Sequence, residues 1–128
     1  MSKKLLLVVD DRLIRKTIKR IAKSMGYIVH VVDNGWDAVE AVCLRSYDLV
    51  LVRSELFGMS GMETAQCIRA VQNKEGLKKI PILNLLTERP YQIVENALSW
   101  GDNLLSGYFN LSEISSYLSN MDRLQNQT

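Results

Sequence analysis

Cysteine is too scarce in this chain to staple a fold. Cys43 and Cys67 stand alone in stretches that read as helices, so no disulfide framework is expected, and both read as small buried apolar residues. With one histidine, His30, and no cysteine near it, there is no metal-ligand spacing of the zinc type. The longest apolar runs, such as LLLVV at 5–9, are far too short to span a bilayer, and the N-terminus has no secretory apolar region. A cytoplasmic location is therefore expected. Neither GxxxxGK[ST] nor GxGxxG follows any apolar run, which removes the two commonest phosphate-cradling loops. The formal net charge of +2 is too small to mean nucleic acid by itself.

The 128 residues fit one domain, with an ordinary apolar share of 47% and a charged share of 23%. Residues 1–122 read as that domain and 123–128 as a frayed C-terminal tail. Charge is unevenly spread. Lys3, Lys4, Arg12, Arg15, Lys16, Lys19, Arg20 and Lys23 crowd the first quarter, whereas beyond Lys79 only Arg89 and Arg123 are basic. Such a patch is either a solvated helix face or an attraction for an acidic partner.

Apolar patterning alternates between two periods. LLLVV (5–9), IVHVV (28–32), DLVLV (48–52) and PILNLL (81–86) are short runs, several continuously apolar, as strands covered on both faces require. NLLS (103–106) is a weaker fifth strand. Between them lie helical segments. Ile14, Ile18, Ile21, Ala22 and Met25 recur at helical spacing before Gly26. Asn34 and Gly35 open a second helix carrying Ala38, Val39, Ala41, Val42 and Leu44. Met62 to Val71 forms a third, followed by the polar loop NKEGLKK. Pro90 to Trp100 is a fourth, and a last one runs from Leu111 behind Asn110, with Leu111, Ile114, Leu118 and Met121 on one stripe. Five strand–helix units with short links predict an α/β domain with a parallel sheet and helices on both faces. In this class a site forms beyond the carboxyl ends of the strands. Those ends carry Asp10–Asp11, Arg53, Leu86–Thr87 and Ser106–Gly107.

The stretches VVDD (8–11), DNGWDAVEAV (33–42), YDLVLV (47–52), GMSGME (58–63), IPIL (80–83) and FNLSEI (109–114) occur in the order and at the spacing of one family. Over essentially its whole length the chain resembles the receiver domain of two-component response regulators. The resemblance implies a flavodoxin-like, doubly wound sheet of five parallel strands, order 2-1-3-4-5, with five helices. It also implies a chemistry in which two acidic residues hold Mg²⁺ and an aspartate at the end of the third strand accepts a phosphoryl group. A Ser or Thr and a Lys then neutralise the phosphoryl oxygens.

By that resemblance Asp11 is the direct metal ligand and Asp10 its neighbour, but Arg53 stands at the acceptor position. No aspartate occurs anywhere from Leu49 to Gly101, so no shift of register restores one. Gly107 stands where the lysine belongs, and no lysine follows Lys79. Leu86 falls at the hydroxyl switch position with Thr87 one residue later, and Leu104 replaces the aromatic switch. Tyr108 replaces the family's proline. A trans bond is expected before it, since a cis bond to a non-proline costs about 3 kcal/mol. One residue is missing between Gly101 and Gly107 relative to the family.

Arginine stays protonated and only donates hydrogen bonds, and its fork suits carboxylates. Arg53 is therefore expected to take the place of the metal and neutralise Asp10 and Asp11, with no Mg²⁺ or other cofactor bound and no enzyme activity. The alternative is a solvent-facing Arg53 over a decayed site. The expected role is a phosphorylation-independent signalling module of the response-regulator family that acts by binding another signalling protein or a second copy. The expected surface is the face of the fourth helix, fifth strand and fifth helix, with Tyr91, Trp100 and Tyr108. Two other readings stay open. One is an active phosphoacceptor using a displaced residue, Ser54 or Glu55. The other is an acidic-partner or nucleic-acid binder acting through the basic first helix. Leu56, Phe57, Met59 and Met62 make the loop after the third strand apolar, either as an exposed contact patch or packed on the third helix.

Overall fold

The computed structural model describes residues 3–85 and 118–119. Within them lie strand β1 (Lys4–Val8), helix α1 (Arg12–Ser24), β2 (Ile28–Val32), α2 (Gly35–Leu44), β3 (Leu49–Arg53), α3 (Gly61–Glu75) and β4 (Ile82–Leu85). The four strands are parallel in the order β2-β1-β3-β4. This is the strand order expected from the resemblance, in four of its strands. The fifth strand expected at 103–106, the helix at 90–100 and the 123–128 tail lie outside the described residues, and the last helix is seen at 118–119 alone.

Both faces of the sheet are covered, which explains runs without polar alternation. Leu6, Val8, Val50, Val52 and Ile82 pack against Ala38 and Val42 of α2 and Ala65 and Ile68 of α3. Leu5, Leu7, Leu49, Leu51, Leu83 and Leu85 pack on the other side against Ile18 and Ala22 of α1, together with Leu118. Each helix start carries the cap its sequence supplies. Asp11, Asn34 and Ser60 accept from the backbone N–H three residues on, and Ser60 with Glu63 completes a capping box. No helix among the described residues is long and apolar enough to cross a membrane.

Four sequence expectations change, the first being that β1 is 4–8, one residue earlier than LLLVV. The third helix continues to Glu75 instead of ending at Val71. Gln72 is buried there and fastened at both ends: it accepts from Arg69 Nη1 at 2.8 Å and donates to the Lys78 carbonyl at 3.0 Å. Gly76, at φ +66°, then ends the helix in the left-handed conformation. The third strand is 49–53, one residue later than DLVLV, because Arg53 still pairs with Leu85 of β4. Neither cysteine is a core residue: Cys43 is exposed and Cys67 half-buried. Ala38 and Val42 take the inward positions of α2, leaving Cys43 and Leu44 outside.

Candidate functional site

The carboxyl ends of β1 and β3 lie side by side, with Val8 paired to Val52. Asp10 and Asp11 follow β1, and Arg53 is the last residue of β3. The Arg53 guanidinium donates from Nη1 to Asp10 Oδ1 at 2.9 Å, and Nε lies 3.6 Å from Glu55 Oε2. The pair is largely screened from water, with side-chain exposures of 13% for Arg53 and 22% for Asp10. Asp10 Oδ2 accepts the backbone N–H of Phe57 at 2.9 Å, so both oxygens of this carboxylate face N–H donors.

Burial by itself raises the Asp10 pKa. The Phe57 N–H and then the hydrogen bond and charge of Arg53 outweigh it, and the carboxyl is held below its ordinary range. Asp11 does different work. Its Oδ1 accepts the Ile14 N–H at 2.9 Å, and its carbonyl accepts the Arg15 N–H, also at 2.9 Å. The guanidinium thus meets Asp10 and Glu55, while Asp11 is spent on opening α1. Adjacent residues at a strand end point apart, and the second of them is placed to cap the helix.

The loop between β3 and α3 is folded back on itself. Gly61 N–H donates to the Ser54 carbonyl at 3.1 Å. A Cβ on Gly61 would come 2.5 Å from the Arg53 carbonyl oxygen and 2.9 Å from Ser54 Cα, so only glycine allows this approach. Ser54 Oγ donates to Asn84 Oδ1 at 2.6 Å. Asn84 is fully buried, and its Nδ2 has no hydrogen-bond partner among the described residues. The apolar loop divides. Leu56 joins the α2–α3 core with Met62 packed against it, whereas Phe57 is 90% exposed.

His30 sits opposite Tyr47, Nδ1 to Oη 2.9 Å, with the rings edge to face. Burial raises the Tyr47 pKa, against the opposing charge of Arg45. Leu86, Thr87, Leu104 and Gly107, and the proposed partner surface of Tyr91, Trp100 and Tyr108, lie outside the described residues. Sequence reasoning missed the Phe57 N–H, the Glu55 side chain and the Ser54–Asn84 contact. Of these only Glu55, an acid two residues beyond an arginine, left a signal in the sequence.

The family model of the response regulator receiver domain matches residues 5–118. Hybrid signal transduction histidine kinase B of Dictyostelium discoideum is 32% identical over 108 residues, 78% of this chain and 6% of that protein. Transcriptional regulatory protein CrdR of Helicobacter pylori is 25% identical over 115 residues, 89% of this chain and 52% of the protein. The chain thus spans from a small fraction to about half of the length of these relatives. Among solved structures, the receiver domain of sensor histidine kinase PA1611 from Pseudomonas aeruginosa holds a magnesium ion in its active-site cleft. It superposes with a TM-score of 0.78 at 27% identity, over 94% of this chain and 98% of that one. Chemotaxis response regulator CheY4 of Vibrio cholerae gives a TM-score of 0.76 at 22% identity, over 94% and 99%. With the four described strands in the expected order and the family model matching residues 5–118, the chain belongs to the response regulator receiver domain family.

Proposed function

We propose that this receiver domain signals without being phosphorylated at its own site, by binding another protein. One observation carries the reading. The residue at the end of β3 is Arg53, which cannot accept a phosphoryl group, and it is already ion-paired to Asp10 at 2.9 Å. A guanidinium in that position supplies the positive charge that a metal supplies in an acceptor site. Both Asp10 oxygens are engaged by N–H donors, and Asp11 is engaged at Oδ1 as a helix cap. This donor set does not fit Mg²⁺, which keeps near-octahedral oxygen ligation and would have to displace a fixed cation. No phosphotransfer or hydrolysis is assigned to the chain.

Displaced acceptors gain no support from the geometry. The Ser54 hydroxyl is directed into Asn84, and the Glu55 carboxylate faces Arg53. The signalling partner is a protein of the two-component class, the setting of the kinase and regulator to which the chain is similar.

The test is amide NMR of the purified chain titrated with Mg²⁺ and a beryllofluoride mimic of the phosphoryl group. Resonances of Asp11, Arg53 and Ser54 are expected to stay in place. Saturable shifts at those amides would show a working phosphoryl pocket and end the proposal.

A further inference from the structure

We infer that this chain associates head to tail with a second copy of itself, the basic amino-terminal end of its sheet seating on the acidic carboxyl-terminal end of the next. In a parallel sheet every link from helix to strand returns to one end, and every link from strand to helix leaves from the other. Backbone bonds gather the amino-terminal end: Ile28 N–H donates to the Lys3 carbonyl and Asp48 N–H to the Lys4 carbonyl, each at 2.8 Å, and Val50 N–H donates to the Pro81 carbonyl at 3.0 Å. Lys4, Lys23, Arg45, Lys74 and Lys78 are exposed there, against the exposed carboxylates of Asp48 and Glu75. At the carboxyl-terminal end the balance reverses. Asp33, Asp37 and Glu63 are exposed, and among the described residues Arg12 is the only exposed cation of the links and first helical turns. Among the described residues, none of the five cations at the one end and none of the three acids at the other is in an ion pair.

Helix ends account for part of this division. Asp37 and Glu63 lie in first turns and Lys23 and Lys74 in last turns, where each complements the dipole of its own helix. Lys4 in β1 and Lys78 in the link to β4 are in no helix, yet they extend the same pattern. Bulky apolar side chains are exposed at both ends as well. Leu44, 72% exposed, precedes Arg45, and Leu77, also exposed, precedes Lys78. At the other end Trp36, 59% exposed and set between Asp33 and Asp37 in sequence, lies beside Gly58, the neighbour of the exposed Phe57. Each end therefore presents charge of one sign with apolar groups among it, and the signs are opposite.

A second copy satisfies both ends at once. With a net charge of +2 the chain repels itself little, and the attraction between unlike ends orients the approach. A nucleic acid or an anionic lipid surface would meet the basic end alone and leave the acidic end and Trp36 in water. Because the two surfaces lie at opposite ends of the sheet, joining them does not close on a pair and continues from copy to copy.

The experiment is sedimentation equilibrium of the full chain over a range of concentrations, at ~0.01 M salt, where charges act over about 30 Å, and at ~1 M, where they act over about 3 Å. At low salt the average mass of the wild type is expected to climb with concentration past that of a dimer, and at high salt to return to the monomer. R45E/K78E spoils the basic end and D33K/W36S the acidic end, and each variant alone is expected to lose roughly tenfold or more in association constant. Mixed in equal amounts, the two variants retain one intact pair of ends, so the mixture is expected to form a dimer and nothing larger. Circular dichroism melts confirm that both variants fold, since every substituted side chain is exposed. A wild type that stays monomeric at low salt, a mass that halts at the dimer, association that survives at high salt or in either variant alone, or a mixture that stays monomeric overturns the inference. The wild-type result stands whether or not a variant folds. No Mg²⁺ or phosphoryl mimic enters this assay, so its outcome is independent of the NMR titration.

Discussion

Arg53→Met keeps most of the side chain's apolar stem and removes its charge, which isolates the ion pair from packing. Asp10 then retains only the Phe57 N–H in a half-buried place. A loss of about 1–2 kcal/mol near neutral pH is expected, less than for a fully buried pair. The pH dependence has a definite sign. The folded pKa of Asp10 is lowered, so its contribution is complete above the unfolded value of about 4 and is lost as pH falls through the folded value. The stability gap between wild type and Arg53→Met therefore narrows in acid. Urea unfolding at neutral pH and again near pH ~3 checks this, and an undiminished gap in acid would assign the effect to packing. The same variant frees the Asp10 carboxylate, and weak Mg²⁺ binding absent from the wild type is expected by NMR titration. At this scale the sequence was partly legible. That Asp10, Asp11 and Arg53 come to one end of the sheet follows from where parallel strands end, but Arg53 neutralises Asp10 and not, as expected, Asp11 as well. Which aspartate meets the arginine depends on the start of α1 at Arg12, and only coordinates fix that.

Helix ends show where one-dimensional patterning runs out. Continuous apolar runs marked the strands well, because burial on both faces leaves little room for polar residues. Helix α2 is apolar almost throughout, GWDAVEAVCL, so its pattern could not choose which side faces the sheet, and Cys43 was misplaced. Gln72 to Glu75 look like loop in composition and are helix in fact, with Gln72 held between Arg69, one turn back, and the Lys78 carbonyl beyond the helix. Two substitutions test the joints that position the site. Asp11→Ala removes the α1 cap, with an expected cost of about 1 kcal/mol and no change in the Asp10–Arg53 pair. Amide shifts confined to residues 11–15 would verify both statements, whereas a lowered acid sensitivity would mean that Asp11 also serves Arg53. Gly61→Ala meets backbone, not a yielding side chain, at the Arg53 carbonyl and Ser54 Cα. A cost of roughly 2 kcal/mol or more is expected, with displaced resonances at Arg53 and Ser54. A silent Gly61→Ala would show that the loop is free to shift.

The described residues form a sheet between two separate apolar layers, and the site sits beyond the carboxyl ends of its strands. Among the described residues, the α2–α3 layer is built from residues between Leu6 and Ile82. The α1 layer is different, because Leu118, fully buried among Ile18, Ala22, Leu83 and Leu85, comes from the far end of the sequence. Leu118 is therefore part of the core, in keeping with a family match that runs to residue 118. Leu118→Ala removes a side chain that closes the face on which α1 lies. The expected loss is about 2–4 kcal/mol, the range for a leucine deleted from a packed interior. In urea the midpoint should fall with the slope unchanged, since the unfolded chain exposes nearly the same surface. Leu118 takes no part in the Arg53–Asp10 ion pair, so the acid-dependent part of the stability should persist in Leu118→Ala at its wild-type size. A change below about 0.5 kcal/mol, the level of an ordinary surface substitution, would mean that α1 is held by the sheet alone and that Leu118 only rests on it.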